Sequence, residues 1–328
     1  MITKVHKENF YNFYQQGVTQ SLIDMWLRCP HQARLYVEGW KPTGAESQAM
    51  VFGNICHHVL EQAYSGITCP LPGVVKCYIK EYEEILNLED RNDLSSEEFY
   101  DYEVSLAKAE GVMLGYFSNY QKDFANNWEI AETIFKVPFE FQDGKKTYVT
   151  GKLDGGFTTE KENGEELYLM DHKCMGRINL QNLLILLPVD IQVNVYLWAV
   201  TQLTGRCPKG FKYNIIRNPS NKPLKSKDET LKEYSDRIQE DVENRPTHYF
   251  SRINIPVHPK EIDKWERTWL TPILRDMRLW YDSQYKWPEY YRPNNLKTEY
   301  GTLSPWASAL AENDFSKYEK RTKVFEEL

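Results

Sequence analysis

Two short segments of the chain hold residue types that can support metal-assisted chemistry. Asp154 lies in a Gly-Lys-Leu-Asp-Gly segment, and Asp171 and Lys173 lie in a Leu-Met-Asp-His-Lys segment. If both are strands, Asp171 and Lys173 point to one face and His172 to the other, because side chains alternate along a strand. Two carboxylates on adjacent strands, with an ammonium beside one of them, can hold a hard divalent cation and orient a water molecule. Hydrolysis of a phosphodiester needs these groups together.

A predicted helix upstream could bring an imidazole to this site. Within residues 51–64, Gly53, His57 and Glu61 share one stripe at i, i+4 spacing, while the apolar residues form a different stripe. His57 can therefore face a site while the helix packs by its apolar side. His58 points about 100° away from His57, so we expect it to have a structural role.

A predicted helix downstream carries two further polar groups. Gln192 and Tyr196 lie at i, i+4 spacing within residues 189–203. From there they could contact a DNA backbone or hold Lys173 in place. Tyr196 taken singly is equally compatible with a place in the core.

The periodicity of the chain predicts a mixed α/β fold. The strongest helical pattern covers residues 95–124, with Ser95 and Glu98 at the spacing of a capping box. The period then changes to that of strands, and the pair Asn163-Gly164 predicts a hairpin. The other predicted helices are 20–37, 51–64, 189–203, 228–243 and 259–283, and the predicted strands are 133–142, 147–157, 166–173 and 211–216. The core order is thus helix, three antiparallel strands, helix, strand.

We expect a single domain over residues 1–328. The motifs occupy a core of about 50–217, preceded by helices in 1–49 and followed by a C-terminal helical region in 218–328. Residues 218–230 are polar and predict a loop rather than a domain boundary.

The composition limits the class of protein. With 41% hydrophobic and 27% charged residues among 328, the chain is typical of a globular protein. A net charge of −7 argues against a protein that simply coats nucleic acid, but it is compatible with a nuclease. The longest nearly pure apolar run, 183–189, is too short to cross a bilayer, and no signal peptide is recognisable in 1–16. We therefore expect a cytoplasmic protein, in the host cytoplasm if the chain is encoded by a virus.

The order of these motifs resembles the RecB-like branch of the PD-(D/E)XK nuclease superfamily. That branch includes nuclease domains of bacterial recombination helicase-nucleases, CRISPR-adaptation exonucleases and many phage exonucleases. The resemblance covers residues 21–196. Its motifs are an opening helix from Ser21 to Cys29-Pro30, Gly53-x-x-x-His57-x-x-Leu60-Glu61, Glu132, Gly151-x-x-Asp154, Asp171-x-Lys173 and Gln192-x-x-x-Tyr196.

The resemblance implies a fold and a set of roles. The fold would be a restriction-endonuclease-like αβββαβ core, elaborated by helices at both ends. The metal ligands would be His57, Asp154, Asp171 and the backbone carbonyl of His172. Asp154, Asp171 and Lys173 would be catalytic. The substrate-positioning residues would be Gln192 and Tyr196, and the supporting residues would be Glu132 and Glu61.

The implied activity is metal-dependent cleavage of DNA. Mg²⁺ is the expected cofactor, and His57 would also suit Mn²⁺, because imidazole is a softer ligand than carboxylate. The substrate would be linear double- or single-stranded DNA, and exonuclease action in recombination, repair or phage DNA processing is expected. A helicase or a single-strand annealing protein is a candidate partner, and no membrane is expected.

The chain departs from several of these relatives at its cysteines. Those relatives hold an iron–sulfur cluster with a first cysteine, here Cys29, and three more near the C-terminus, but no cysteine follows Cys207. The comparable segment, 304–306, reads Ser-Pro-Trp. We therefore expect no iron–sulfur cluster. In its place, Trp306 and Trp287 would pack the C-terminal segment against the N-terminal helix.

Two other functions are compatible with the sequence. A non-cleaving DNA-binding or recombination-assembly protein could retain this fold, although it would not need to keep Asp154, Asp171 and Lys173 together. A metallohydrolase that acts on small phosphoesters could also use the same residue types.

Overall fold

A mixed β-sheet lies at the centre of the computed structural model. The structure describes residues 10–43, 47–66, 68–89, 95–162, 164–284, 306, 309, 314–325 and 328. The strands are β1 (Val18–Thr19), β2 (Trp40–Pro42), β3 (Asn127–Glu140), β4 (Lys146–Lys161), β5 (Gly164–Met175), β6 (Gly210–Arg217), β7 (Phe250–Pro256) and β8 (Tyr318–Lys320). The main sheet has the order β1-β4-β5-β6-β7, and β3 pairs with the other side of β4.

The pairing directions confirm the predicted mixed α/β fold. β3, β4 and β5 are antiparallel neighbours, whereas β5 and β6 are parallel. A parallel pair needs a crossover connection, and helices supply it here. β7 then pairs antiparallel with β6 at the edge of the sheet.

Helices cover both faces of this sheet. They are α1 (Gln20–Arg28), α2 (Pro30–Val37), α3 (Gln48–Tyr64), α4 (Pro72–Glu89), α5 (Ser96–Asn119), α6 (Leu180–Leu186), α7 (Ile191–Thr204), α8 (Leu231–Asn244), α9 (Pro246–Tyr249), α10 (Pro259–Trp265) and α11 (Thr271–Asp282). The 3₁₀ turns are Gln121–Ala125, Leu187–Val189 and Lys225–Lys227, and a π turn spans Glu266–Leu270. One apolar layer contains α1, α2, α7, α10 and α11, and the other contains α3, α4, α5 and α8. The sheet is therefore buried on both faces.

The prediction of one helix over 20–37 was wrong. α1 ends at Arg28 and α2 begins at Pro30, with Cys29 extended between them at φ −159° and ψ 99°. The residue before a proline is disfavoured in the helical region, so Cys29 leaves the helix. Pro30 then takes the first position of α2, where its missing N–H would be unpaired in any case.

Two other helix predictions need correction, and one long helix was missed. The predicted helix 95–124 stops at Asn119, although Ser95 and Glu98 do form the capping box. The predicted helix 259–283 is interrupted by the π turn between α10 and α11. α4 was not predicted. Among the described side chains of α4, only Val75 and Ile79 are buried. Two buried positions give only a weak helical repeat of apolar residues in the sequence.

The terminal regions are less helical than predicted. The N-terminal region 1–49 contains β1 and β2 as well as helices, and the C-terminal region 218–328 contains β7 and β8. β3 begins at Asn127 rather than at 133, because an irregularity between Trp128 and Ile130 breaks the alternation there. Lys161 pairs with Gly164 across the predicted hairpin, and Gly164 has φ +105°, but Asn163 lies outside the described residues.

A small sheet of β2 and β8 joins the two ends of the described chain. Trp40 pairs with Lys320, whose ammonium lies 3.7 Å from the centre of the Trp40 ring. Cys29 is buried in the adjoining apolar cluster together with Trp306 and Tyr318. The expected packing of Trp306 near Cys29 is therefore present, whereas Trp287 lies outside the described residues.

Among the described residues, no single helix has the length and apolarity needed to cross a membrane. The bent pair Leu180–Val189 and Ile191–Thr204 meets that criterion only when both helices are counted together.

α5 and α8 cross at very short range. A Cβ atom on Gly111 would lie 2.5 Å from the carbonyl oxygen of Ser235 and 3.0 Å from the backbone nitrogen of Gln239. Backbone atoms cannot move aside as a flexible side chain can. The crossing therefore requires glycine at this position.

Replacing Gly111 with alanine should separate the two helices. We expect Gly111→Ala to lower the free energy of unfolding by about 1–3 kcal/mol, as overpacking does elsewhere. Urea unfolding followed by tryptophan fluorescence measures the change. Gly73→Ala on α4 is the matched control, because a Cβ there would meet nothing within 4 Å. Equal unfolding midpoints for Gly111→Ala and the parent would contradict this account of the crossing.

Candidate active site

α3 brings His57 to the sheet. The helix begins after Ser47, whose side chain accepts a hydrogen bond from the backbone N–H of Met50. Phe52, Ile55 and other apolar residues bury one stripe of α3, and His57 lies on the half-buried stripe beside it.

The site opens where β4 and β5 stop pairing. The ladder between them runs as far as Gly155 and Met170, and the next residues are Asp154 and Asp171. The Asp154 carboxylate accepts the backbone N–H of His172 at 2.8 Å. The Asp154 side chain therefore takes the place of a backbone carbonyl of β4 as the acceptor for this N–H. The N–H keeps a hydrogen-bond partner although β4 and β5 separate here.

Glu132 reaches the same opening from β3. The strand register places it opposite Asp154, and its backbone is left-handed at φ +42°. This conformation is strained for a residue with a side chain. It also interrupts the regular alternation of β3, so it changes the direction in which the Glu132 side chain points. The Glu132 carboxylate lies 3.2 Å from Nδ1 of His57 and 2.5 Å from Nζ of Lys152. Burial would raise the pKa of Glu132, but the hydrogen bonds from these two cations lower it.

His57, Glu132 and Asp154 form a compact set of possible metal ligands. One nitrogen or oxygen atom from each lies within 4.8 Å of the others. Nδ1 of His57 is 3.6 Å from Oδ2 of Asp154. Burial disfavours a charge on His57, but Asp154 and Glu132 raise the pKa of His57 to about 9. Carboxylate donors suit Mg²⁺ and Mn²⁺, and the imidazole donor favours the softer Mn²⁺, so the residues present fit a divalent cation.

Asp171 and Lys173 form a second, adjoining group. The Lys173 ammonium donates to Oδ1 of Asp171 at 2.9 Å and lies 2.8 Å from Oδ2. Gln192 donates to Oδ1 of Asp171 at 3.3 Å and to the Tyr196 hydroxyl at 2.9 Å. The sequence-predicted residues of α7 and β5 are thus brought together around one carboxylate, which is 1% exposed.

Electrostatics couple this pair to Asp154. Burial alone would lower the pKa of Lys173, but the charges of Asp171 and Asp154 raise it, so Lys173 remains an ammonium. Burial also raises the pKa of Asp171 to about 7, although Lys173 opposes this. Asp171 therefore needs a neighbouring cation in order to stay ionised.

Two predicted residues lie differently from expectation. The close set of ligands contains Glu132, which was predicted only to support the site, and it does not contain Asp171. Glu61, the other predicted supporting residue, acts through its charge on Lys152 and His58, and no hydrogen bond joins it to the set. The backbone of His172 is at the site through its N–H, which donates to Asp154.

A buried polar network on the opposite face of β5 was missed by the sequence analysis. Nδ1 of His172 lies 2.8 Å from Nδ2 of Asn214, and Oδ1 of Asn214 accepts from Arg252 at 2.8 Å. Arg252 in turn pairs with Asp123 at 2.5 Å, and Tyr64 donates to the same carboxylate at 2.8 Å. A single-sequence pattern cannot indicate this network, because its members come from five separated elements.

The network fixes the state of the His172 ring. Since Asn214 uses its oxygen for Arg252, it must donate its amide N–H to Nδ1 of His172, and the proton of the imidazole lies on Nε2. Burial lowers the pKa of His172 well below its usual range, and the charge of His57 adds to this. His172 is therefore a neutral group in a structural network, and it lies on the face opposite to Asp171 and Lys173, as the strand alternation predicted.

Comparison with protein families decides the classification. The model of the PD-(D/E)XK nuclease superfamily matches residues 18–269, more than half of the chain. The chain belongs to the PD-(D/E)XK nuclease superfamily. No curated protein matched the chain in a separate search. Nucleases of this superfamily typically use divalent metal ions, and the His57, Glu132 and Asp154 set lies within the matched region.

The strain at Glu132 can be measured without any metal. Glu132→Gly and Glu132→Ala both remove the carboxylate, but only glycine adopts φ +42° without strain. We expect the glycine variant to be the more stable of the two by about 1 kcal/mol in urea unfolding with EDTA present. At Glu140, elsewhere on β3, the order should reverse, because glycine weakens a regular strand. A more stable alanine variant at position 132 would refute the strain.

Replacing Arg252 should reduce the stability of the protein, because its partner Asp123 is buried. Arg252→Met leaves the Asp123 carboxylate buried without a cation, and we expect a loss of about 3–5 kcal/mol in the free energy of unfolding. The double variant Arg252→Met/Asp123→Leu should recover part of that loss. Arg206→Met, which removes an exposed pair with Glu129, serves as the control and should unfold close to the parent. No recovery in the double variant would count against the pairing as the cause.

Proposed function

We propose that this nuclease is a divalent-metal-dependent deoxyribonuclease of the RecB-like branch that hydrolyses phosphodiester bonds in linear DNA. The observation that carries the proposal is the juxtaposition of two groups. A set of metal-ligand types, His57, Glu132 and Asp154, adjoins the ion pair of Asp171 and Lys173. Residues from distant segments of the chain therefore meet at one opening in the sheet.

The metal would be held by His57, Glu132 and Asp154, with Asp171 and the carbonyl of His172 as the further ligands implied by the resemblance. When bound, the divalent cation neutralises charge on the scissile phosphate and lowers the pKa of water. Asp154 is already fixed by the N–H of His172, so it needs little reorganisation to act as a ligand.

Lys173 supplies positive charge at the edge of this set. Its ammonium is anchored by Asp171 and stays protonated, so it can stabilise the negative charge that develops on the phosphate. Gln192 and Tyr196 act one step further away. Gln192 donates hydrogen bonds to Asp171 and to Tyr196. Gln192 and Tyr196 are therefore positioning residues, because they orient the Asp171 carboxylate that holds Lys173.

The biological role that fits this activity is processing of DNA ends in recombination, repair or phage DNA metabolism, in the cytoplasm. Exonuclease action on linear DNA is part of the proposal. A helicase or an annealing protein remains the proposed partner class.

Time courses on end-labelled linear DNA and closed circular DNA test the proposal. We expect cleavage of the linear substrate with Mg²⁺ or Mn²⁺ and none with EDTA. Asp171→Asn and Lys173→Met should each reduce the rate roughly a hundredfold or more, the size expected for a principal electrostatic group. Lys146→Met, which removes a lysine paired with Glu140 at the far end of β4, should cleave like the parent.

The same assay separates the alternatives. Folded Asp171→Asn or Lys173→Met protein that cleaves at the parent rate would refute the assigned roles. A parent protein that binds oligonucleotides but cleaves neither DNA nor a chromogenic phosphodiester would instead be a non-cleaving DNA-binding protein. Cleavage of the chromogenic substrate alone would indicate a hydrolase of small phosphoesters.

A further inference from the structure

A surface cavity of about 610 Å³ lies beside the proposed active site. We call it the α3–β3 cavity, and residues 64–66, 124–131 and 133 line it. Ser65 and Ala125 are exposed, so the cavity is open to solvent. Ala131 and Thr133 are the two chain neighbours of Glu132, and adjacent Cα atoms are about 3.8 Å apart. The cavity therefore begins directly beside the proposed metal ligands, yet the proposed chemistry gives its lining residues no role.

Aromatic rings that are held in place form part of the cavity wall. Trp128 stacks on Tyr64 with 3.8 Å between the ring centres, and its indole N–H donates to the backbone carbonyl of Asp123 at 3.0 Å. Phe124 also stacks on Tyr64, with 5.3 Å between the centres. Trp128 and Phe124 are half-buried and line the cavity. A flat ligand can pack against such fixed aromatic surface, either stacked or edge to face.

Two amide side chains give the cavity hydrogen-bond acceptors. The amide N–H of Asn126 donates to the backbone carbonyl of Asp123 at 3.1 Å, and that of Asn127 donates to the Thr158 hydroxyl at 3.3 Å. These bonds determine which end of each amide is bound to the protein. Each Oδ1 is therefore available to accept a hydrogen bond from a ligand.

The charge of the cavity argues against a phosphate as the ligand. Among the described residues that line it, none is a cation, and Glu129 is the one carboxylate. Glu129 is paired with Arg206 at 3.2 Å and accepts the Thr158 hydroxyl at 3.0 Å. Phosphate binding depends on positive charge, which this wall does not supply. A flat, neutral group that carries N–H donors fits the wall better, and a nucleobase has these properties.

We propose that the α3–β3 cavity binds an unpaired nucleobase of the DNA strand whose backbone lies at the proposed metal site. This inference rests on the proposed nuclease function, since it takes the occupant from that substrate. The base packs against Phe124 and Trp128, and its exocyclic amino group donates to the amide oxygen of Asn126 or Asn127. The volume suits this occupant, because small-ligand sites occupy about 300–1,000 Å³. Bases inside a duplex are stacked and paired, so the cavity favours single-stranded DNA.

Fluorescence anisotropy with two labelled oligonucleotides of equal length tests the base assignment. One is single-stranded oligo-deoxycytidine, and the other is a fully abasic strand with the same phosphates. EDTA is present throughout, so binding is measured without cleavage. Ala125→Phe places a ring at the cavity from an exposed position. We expect it to weaken binding of the cytosine strand about fivefold or more, the effect of one lost base contact, and to leave binding of the abasic strand unchanged.

A second variant tests the polar wall with a smaller change. Asn127→Ala removes one acceptor and should weaken binding of the cytosine strand several-fold. For both variants, the slope of log affinity against log salt concentration should stay that of the parent, because no phosphate contact is lost. Asn244→Ala removes an exposed asparagine of α8 outside the cavity, and it should bind both strands like the parent. Thermal unfolding confirms that each variant is folded.

A blunt duplex of the same length tests the requirement for an unpaired base. Its bases are paired, so it should bind Ala125→Phe and the parent alike. A fivefold loss with the duplex as well would overturn the selection of single strands.

Three other results are decisive. If folded Ala125→Phe weakens the cytosine and abasic strands equally, the ring blocks the backbone and the base assignment is wrong. If both folded variants bind the cytosine strand like the parent while the parent cleaves DNA with Mg²⁺ or Mn²⁺, the nuclease proposal stands and the base site fails. If the variants lose affinity for the cytosine strand alone while the parent cleaves no DNA, the base site stands and the nuclease activity fails.

Discussion

The separation of β4 from β5 is the constraint on which the rest of the site depends. Two antiparallel strands that part normally leave backbone groups without partners, and unpaired backbone groups inside a protein are costly. Here the Asp154 carboxylate accepts the orphan N–H of His172, so the strands can diverge without that cost. The opening then admits His57 from α3 and Glu132 from β3 to the same space. One side-chain hydrogen bond thus allows a sheet covered by helices on both faces to carry a polar site.

The alternation of side chains along β5 separates two different electrostatic environments. Asp171 and Lys173 face the side on which Gln192 lies, where charges are paired and the opening reaches solvent. His172 faces the other side and is held neutral by a network that ends in the pair of Arg252 and Asp123. The side chain of Lys173 is 28% exposed, whereas that of Arg252 is 14% exposed, so the first side keeps the more accessible charge. The strand therefore couples the proposed catalytic groups to a structural anchor through its backbone.

Much of the fold and part of the site could be predicted from local patterns. The order of the core helices and strands followed from periodicity. Spacings of two and four residues indicated that Asp171 shares a face with Lys173 and that Gln192 shares one with Tyr196, whereas the family resemblance implied that the two pairs belong to one site. The importance of Glu132 could not be predicted in this way, because its position depends on a left-handed backbone inside a strand. The Arg252 network depends on contacts between residues that are distant in the sequence. β7 was not predicted, and it is recognised only from its pairing with β6. Local sequence indicates which groups share a face, but tertiary packing decides which faces meet.

The pairing of β2 with β8 has a consequence for the order of folding. Lys320 donates to the carbonyl of Glu38, and the two residues are 282 positions apart in the chain. The entropy lost on closing a loop rises only with the logarithm of its length, so such a long closure is affordable once the intervening domain is compact. Before the rest of the chain has folded, forming this contact would cost the conformational entropy of a long loop. The only gain would be the hydrogen bonds of one short pair of strands. We therefore expect the two-stranded sheet to form late, on a surface that the rest of the fold has already assembled.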